Sequence, residues 1–273
     1  MKTTLLIATY NWPEALKLVL ESVFRQTVLP DEIVIADDGS GPATKALIDA
    51  MRNRSPIPIT HVWHEDDGFR LTVIRNKAVA ASKGDYILQI DGDCILPTHY
   101  VEDHINMATD GYFSGGRRIL LDENMTRETF SKGELYYSAL GLLKQHQGLN
   151  QIKHSIHSPF LMRFYSRKIA KDRQGKSGVA GFSFSFWKKD FIAVNGYDES
   201  FNKWGGEDSD LAHRFLNRGL KALPLRFGGF VFHLHHTTNG FYKNPNDNPN
   251  HRILLTHIAN GTTYIENGID KWL

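Results

Sequence analysis

With 273 residues, 41% of them hydrophobic, the chain is long enough for one large domain or two small ones built around a sizeable core. Its 32 lysines and arginines nearly balance 30 aspartates and glutamates, so the formal charge of +2 gives no global reason to expect a nucleic-acid partner, and any basic patch must be local. Cys94 is the only cysteine, which excludes internal disulfides and cysteine-based zinc sites and fits a reducing compartment. No run reaches the ~18 apolar residues needed to span a bilayer, and no cationic, then apolar, cleavable segment precedes the first strand-like run, so a cytoplasmic protein is expected.

Thr3 to Thr9 is β-branched and apolar and reads as a strand. From Pro13 to Gln26, Ala15, Leu16, Val19, Leu20 and Val23 fall at helical spacing, with Pro13 in the first turn. Asp31 to Ala36 repeats the strand signal, Ala43 to Met51 a helix and Ile57 to Trp63 a third strand. Leu71, Ile74, Ala78 and Ala81 then keep a helical period up to Lys83-Gly84, and Tyr86 to Ile90 leads into Asp91. The alternation predicts an α/β fold with a mostly parallel sheet flanked by helices.

Two of these strands end on acids: Asp37-Asp38-Gly39-Ser40 and Asp91-Gly92-Asp93. Both pairs should open on the carboxyl edge of one sheet, where open α/β sheets bind ligands. Alternate strand residues share a face, so Asp91 and Asp93 can act together while Gly92 admits a close neighbour. Hard oxygen donors there suit Mg²⁺ or Mn²⁺ carrying a phosphorylated ligand; the plain alternative is a turn rich in Asp and Gly. Ala8-Thr9-Tyr10-Asn11 follows the first strand in place of a glycine-rich dinucleotide fingerprint, which argues against a Rossmann dehydrogenase. Gly175-Lys176-Ser177 mimics the end of a P-loop, but Ala170 stands where the first glycine is needed and no strand precedes it.

Past Tyr112 the alternation decays. Leu135 to Gln147 and Pro159 to Lys171 read as helices joined by a polar, histidine-bearing segment. Arg163, Arg167, Lys168, Lys171, Arg173 and Lys176 form a local basic run interleaved with Phe160, Leu161, Phe164 and Tyr165. A solvated helix face is its plain reading; peripheral contact with an anionic membrane face, or with a diphosphate-bearing acceptor, is the functional one. Gly178 to Trp187 alternates small and aromatic residues, and Trp204-Gly205-Gly206-Glu207-Asp208-Ser209-Asp210 opens a helix to about Asn217. Carboxylates in a first helical turn favour the macrodipole, which is reason enough for Glu207, Asp208 and Asp210. The tryptophan and two glycines before them favour a site, since glycines let a ligand approach and an indole offers a stacking face for a sugar ring. Phe230 to His236 reads as a strand in which period two puts His233 and His235 on one face and His236 on the other. Asn244 to Asn250 reads as a loop and Ile253 to Ile265 as a closing helix.

Together, Ala8-Thr9-Tyr10-Asn11, Asp37-Asp38-Gly39-Ser40, Arg75-Asn76, Asp91-Gly92-Asp93 and Trp204-Gly205-Gly206-Glu207-Asp208 resemble the inverting nucleotide-sugar glycosyltransferases of family 2. The last motif is also similar to that of β-1,4-galactosyltransferases, and the stretch from Asp67-Gly68-Phe69 to Asp93 is similar to bacterial chondroitin-polymerase-type transferases. The resemblance implies an A-type fold, with a Rossmann-like nucleotide-sugar-binding half over residues 1–110 and an acceptor-binding, catalytic half over 111–273, in one continuous domain. It implies that the Ala8-Thr9 backbone and Asp38 hold a uridine base and ribose, with Arg75 near the base or diphosphate. Asp91 would contact the ribose or the metal, Gly181 would lie near the donor sugar, and Asp93 with His233 (His236 in reserve) would ligate Mn²⁺ or Mg²⁺. Trp204 would pack on the sugars, Glu207 would bind a hydroxyl and Asp208 would be the base. The implied reaction moves a sugar from a nucleotide-diphosphate donor to a saccharide or lipid-linked acceptor in surface polysaccharide or glycolipid synthesis. An Asp-x-Asp phosphatase and a non-catalytic sugar-nucleotide-binding module are the alternatives; the phosphatase pair would normally follow the first strand, and here it follows about the fourth.

Overall fold

The computed structural model describes residues 1–145, 148–172, 180–237 and 247–273. Arg173, the Gly175-Lys176-Ser177 tripeptide and the start of the loop expected at 244–250 lie outside them. The first half alternates β1 (Thr3–Thr9), α1 (Pro13–Phe24), β2 (Glu32–Asp37), α2 (Pro42–Arg52), β3 (Ile59–Trp63), α3 (Leu71–Ala81) and β4 (Tyr86–Asp91). These match the expected elements closely, because parallel strands buried on both faces read as unbroken apolar runs. Leu5, Ile7, Ile33, Ile35, Leu88 and Ile90 pack into one core layer, while Leu6, Ala8, Val34, Ala36 and Ile87 pack into another.

Next come β5 (Cys94–Ile95), α4 (Tyr100–Met107), β6 (Tyr112–Gly115), β7 (Arg118–Leu120), α5 (Glu123–Lys132), α6 (Ala139–Leu143), α7 (Gly148–Ser155) and α8 (Pro159–Asp172). The chain continues through β8 (Ser183–Trp187), α9 (Lys188–Ala193), α10 (Glu207–Asn217), β9 (Lys221–Pro224), β10 (Val231–His233) and α11 (Pro249–Ala259), and ends in a 3-10 turn, Ile269–Trp272. Seven strands form one sheet in the order β3-β2-β1-β4-β8-β6-β9, so it takes strands from both sides of residue 110. Among the described residues it is parallel except where β8 runs against β4 and β6. A small sheet, β5-β10-β7, lies beyond the carboxyl end of β4.

The expectations for the second half need correction. Instead of one helix over Leu135 to Gln147, a short α6 starts at Ala139, capped by Ser138, whose hydroxyl accepts from the Gly141 N–H at 3.0 Å. The closing helix starts earlier than Ile253, because the Asn248 side chain accepts from Asn250 N–H and Pro249 occupies the first turn. The strand expected to reach His236 stops at His233.

Asn76 ties α3 to the segment that leads to α10. Its Oδ1 accepts from Tyr197 N–H at 2.8 Å, and its Nδ2 donates to the Tyr197 carbonyl at 2.8 Å and to Glu199 Oε1 at 2.9 Å. Asn76 is fully buried, so Asn76→Ala would strand these partners away from water. A loss of about 1–3 kcal/mol is expected, read as a lowered midpoint in urea unfolding.

Candidate active site

The register of β1 aligns Ala8 with Ala36 and with Asp91, so the ends of β1, β2 and β4 open together. Gly92 turns the chain there: its N–H donates to the Ala8 carbonyl at 2.7 Å, and a Cβ would lie 2.9 Å from that oxygen. The close neighbour that Gly92 admits is therefore the protein's own β1. Asp93 then faces β10, whose Leu234 N–H donates to the Asp93 carbonyl at 3.1 Å and whose His233 pairs with Cys94 across the strands.

This pairing gathers the metal-type donors. His233 Nε2 lies 3.5 Å and His236 Nε2 3.1 Å from Asp93 Oδ2. The period-two expectation fails because the chain leaves the strand after His233: His236 folds back onto Asp93, while His235 is exposed and its N–H donates to Thr126 Oγ1. Ligand atoms of Asp93, Cys94 and His233 lie within 4.8 Å of one another. Burial pushes the Cys94 thiol well above its usual range, so it stays protonated and is a poor ligand. Burial alone would raise Asp93, but the hydrogen bond from His236 and the charge of both histidines hold its carboxyl below the usual range. One carboxylate and two imidazoles, with other positions left to further oxygen ligands, fit a transition cation such as Mn²⁺ better than the oxygen-seeking Mg²⁺.

The second acidic cluster is on α10. Gly205 and Gly206, at φ +94° and +99°, adopt left-handed backbone, which explains both glycines without a ligand. Asp208 is held by three donors: Gly181 N–H to Oδ2 at 2.9 Å, and Arg75 Nη1 at 3.1 Å and Tyr197 Oη–H at 2.8 Å to Oδ1. A Cβ on Gly181 would fall 2.2 Å from Asp208 Oδ2, so a side chain there would displace the Asp208 carboxylate. Asp208 keeps 19% of its side chain exposed. Glu207 is buried, with Oε2 unpartnered, and that burial, reinforced by Asp208, pushes its carboxyl up to about 8. Asp210 belongs to the scaffold: it binds Arg214 Nε at 2.8 Å and His257 Nδ1 at 2.7 Å.

Arg75 differs most from expectation. Its guanidinium is 1% exposed and turned to carboxylates: Nη2 donates to Asp91 Oδ1 at 2.9 Å and Nη1 to Asp208, with Glu207 Oε1 at 3.8 Å. Burial would lower its pKa, but Asp208, Tyr197, Asp91 and Glu207 raise it above the ordinary arginine value. Both of its terminal nitrogens donate to carboxylates. Asp91 has 36% of its side chain open to the cleft, yet crowding by protein raises its carboxyl to about 6, Arg75 opposing the shift and Asp93 and Asp208 adding to it.

The nucleotide side is also partly committed. The Ala8 and Thr9 carbonyls accept from Gly92 and Asp38 N–H groups, and Asp38 binds His64 Nε2 at 2.7 Å and Arg70 N–H at 3.1 Å. Asp37 is wholly buried, braced by His61 Nε2 at 2.8 Å and Ser40 N–H at 2.8 Å. Ala8, Asp38, Asp91, Asp93, Trp204 and Asp208 all line one cleft of about 860 Å³, and the Trp204 indole is 45% exposed. Sequence reasoning missed Tyr197, which neither ends a strand nor belongs to a periodic run, and His64, which directly follows β3 as Asp38 follows β2 and could have been found by that position.

Glycosyl transferase family 2 matches residues 4–195, and a model described as the N-terminal domain of galactosyltransferase matches 167–237. The chain belongs to glycosyl transferase family 2. It is 25% identical over 238 residues to the chondroitin synthase of Pasteurella multocida (strain Pm70), covering 84% of this chain and 24% of that one. It is 24% identical over 236 residues to the validoxylamine A glucosyltransferase of Streptomyces hygroscopicus subsp. limoneus, covering 80% and 48%. The chain thus spans about a quarter of the synthase and half of the glucosyltransferase. The mannosyltransferase PcManGT from Pyrobaculum calidifontis, solved with GDP-Man and Mn²⁺, superposes with a TM-score of 0.61 at 14% identity over 95% of this chain and 70% of that one. GalNAc-T7, solved with UDP, GalNAc and Mn²⁺, gives 0.60 at 15% over 90% and 46%. The fold is the A-type glycosyltransferase fold, and the family match sets aside the phosphatase alternative.

Glu207 makes stability depend on pH. Between its ordinary 4.5 and about 8 the folded chain keeps a proton that the unfolded chain has lost, so this contribution is full below 4.5 and gone above about 8. Glu207→Gln, neutral throughout, should gain on the wild type in melting temperature as pH rises through that window. Parallel melting curves from pH 4.5 to 8 would contradict the assignment.

Proposed function

We propose that the protein is a metal-dependent inverting glycosyltransferase that moves a sugar from a nucleotide-diphosphate donor, a UDP-sugar by preference, to a hydroxyl of a saccharide acceptor. The observation that carries this reading is the division of one cleft into two acidic groups on different segments: Asp93 with His233 and His236 on one, Asp208 on the other. An inverting displacement needs that division, since the attacking hydroxyl and the leaving diphosphate stand on opposite faces of the anomeric carbon.

Asp93, His233 and His236 would hold the cation, which supplies charge neutralisation on the leaving phosphates. Asp208 would take the proton from the acceptor hydroxyl as that oxygen bonds to the anomeric carbon and the bond to the diphosphate breaks. Its hydrogen bonds to Gly181, Arg75 and Tyr197 fix the carboxylate's direction, which favours attack by restricting geometry. Glu207, protonated near neutral pH, is suited to donate a hydrogen bond to a sugar oxygen. Trp204 would stack on a sugar, and Ala8, Thr9 and Asp38 would face the nucleoside. The relatives' names support a sugar transferase, and the UDP and Mn²⁺ in the GalNAc-T7 structure support the donor and cation chosen here.

Release of UDP from a panel of UDP-sugars, with and without Mn²⁺, tests the reading. Donor binding without turnover, for every donor and acceptor tried, would favour the non-catalytic module. Asp208→Asn is expected to lose about 10²- to 10⁴-fold in turnover with donor affinity near normal. Gly181→Ala should also lose turnover, because its methyl must push Asp208 away. Asp93→Ala should abolish Mn²⁺-dependent UDP binding in calorimetry and His233→Ala should weaken it; unchanged affinity in the Asp93 variant would overturn the metal assignment.

A further inference from the structure

Outside the cleft, three consecutive helices repeat one surface pattern. On α6, Leu140 and Leu143 are exposed beside Lys144; on α7, Leu149 is exposed with Lys153, and Ile156, the first residue past that helix, is exposed as well. On α8, Phe160 and Phe164, 79% and 60% exposed, alternate with exposed Arg163, Arg167 and Lys168. On α6 and α8 the apolar positions recur at three or four residues with the basic ones beside them, which places each set on one side of its helix. The opposite face of α8 is anchored: Met162 packs with Leu223 and Leu225, and Ser166 Oγ accepts from Arg226 N–H at 3.1 Å. From Leu135 to Ala170 the chain has these five lysines and arginines and no aspartate or glutamate, although acids number 30 in the whole. Among the described residues none of the five pairs with a carboxylate.

Apolar side chains left in water, spaced by cations and free of acids, are what an anionic lipid surface complements: rings and leucines enter the acyl boundary while Lys and Arg stay at the headgroups. A second copy fits poorly, because two such faces would repel. We infer that α6, α7 and α8 form a docking face for an anionic membrane surface. The face adjoins the cleft, since Leu120, in the cleft lining, donates its N–H to Gln151 Oε1 of α7 at 3.2 Å. It would bring the acceptor side within reach of lipid-borne saccharides, but lipid binding itself does not depend on the transfer reaction.

Co-sedimentation of the whole protein with phosphatidylcholine vesicles, with and without phosphatidylglycerol, tests it at low salt. The wild type should sediment with the anionic vesicles only, and increasingly less as salt is added. Substituting R163Q, R167Q and K168Q together should lower partitioning on the order of 100-fold. F160S with F164S should also weaken it, leaving a remainder that salt removes. These side chains are exposed, so melting temperature and UDP-sugar binding should stay near wild type in both variants. Equal sedimentation with both vesicle types, no sedimentation at low salt, or an unaltered R163Q/R167Q/K168Q variant would overturn the inference. So would variants that change only self-association or capture of an acidic protein.

Discussion

A single buried guanidinium organises the cleft. Arg75 projects from α3 between the end of β4 and the start of α10, and it bonds Asp91 on one and Asp208 on the other. Enclosing a full charge costs several kcal/mol unless partners replace its water. Here Asp91 and Asp208 bond it, Glu207 stands near and the Tyr197 ring lies 5.4 Å from its centre. The need is mutual: without Arg75, three carboxylates would crowd one wall of the cleft with no internal cation. Helix, strand and motif are therefore held in register by charge as well as by packing.

Around that pair of bonds the acids are driven apart in character. Glu207, enclosed and short of a partner, keeps its proton to about 8. Asp93, two residues from Asp91 but facing two histidines, is held ionised well into the acid range. Neighbouring groups of one type thus take different protonation states from burial and partners alone, so one cleft presents both an anionic and a neutral carboxyl group.

The first half was legible in the sequence because β1, β2 and β4 are parallel strands buried on both faces, so each appears as an apolar run, and β2 and β4 end on acids. The second half was not. β7 and β10 have three residues each, too few to display a period, and α6 is a single capped turn rather than the long helix that Leu135 to Gln147 suggested. Asp91, Asp208 and His233 could be singled out because strand ends and a helix start carry them, and Asp93 because it follows Asp91 across one glycine. Arg75 was picked out, but its direction was not, because its partners lie on another strand and a distant helix. Tyr197 and the return of His236 onto Asp93 depend on tertiary contact and leave no local signal.

The small sheet β5-β10-β7 joins residues far apart in the chain, and this bears on the order of synthesis. A ribosome that has delivered Asp93 must add every residue to His233 before Cys94 finds its strand partner. Until then the β4 end carries its carboxylates with neither His233 nor His236 beside Asp93. The early strands can zip together through their local crossovers, but the cleft closes only when the last strand arrives. Pairing of the first four strands and gathering of the histidines at Asp93 are thus separate events in the life of the chain.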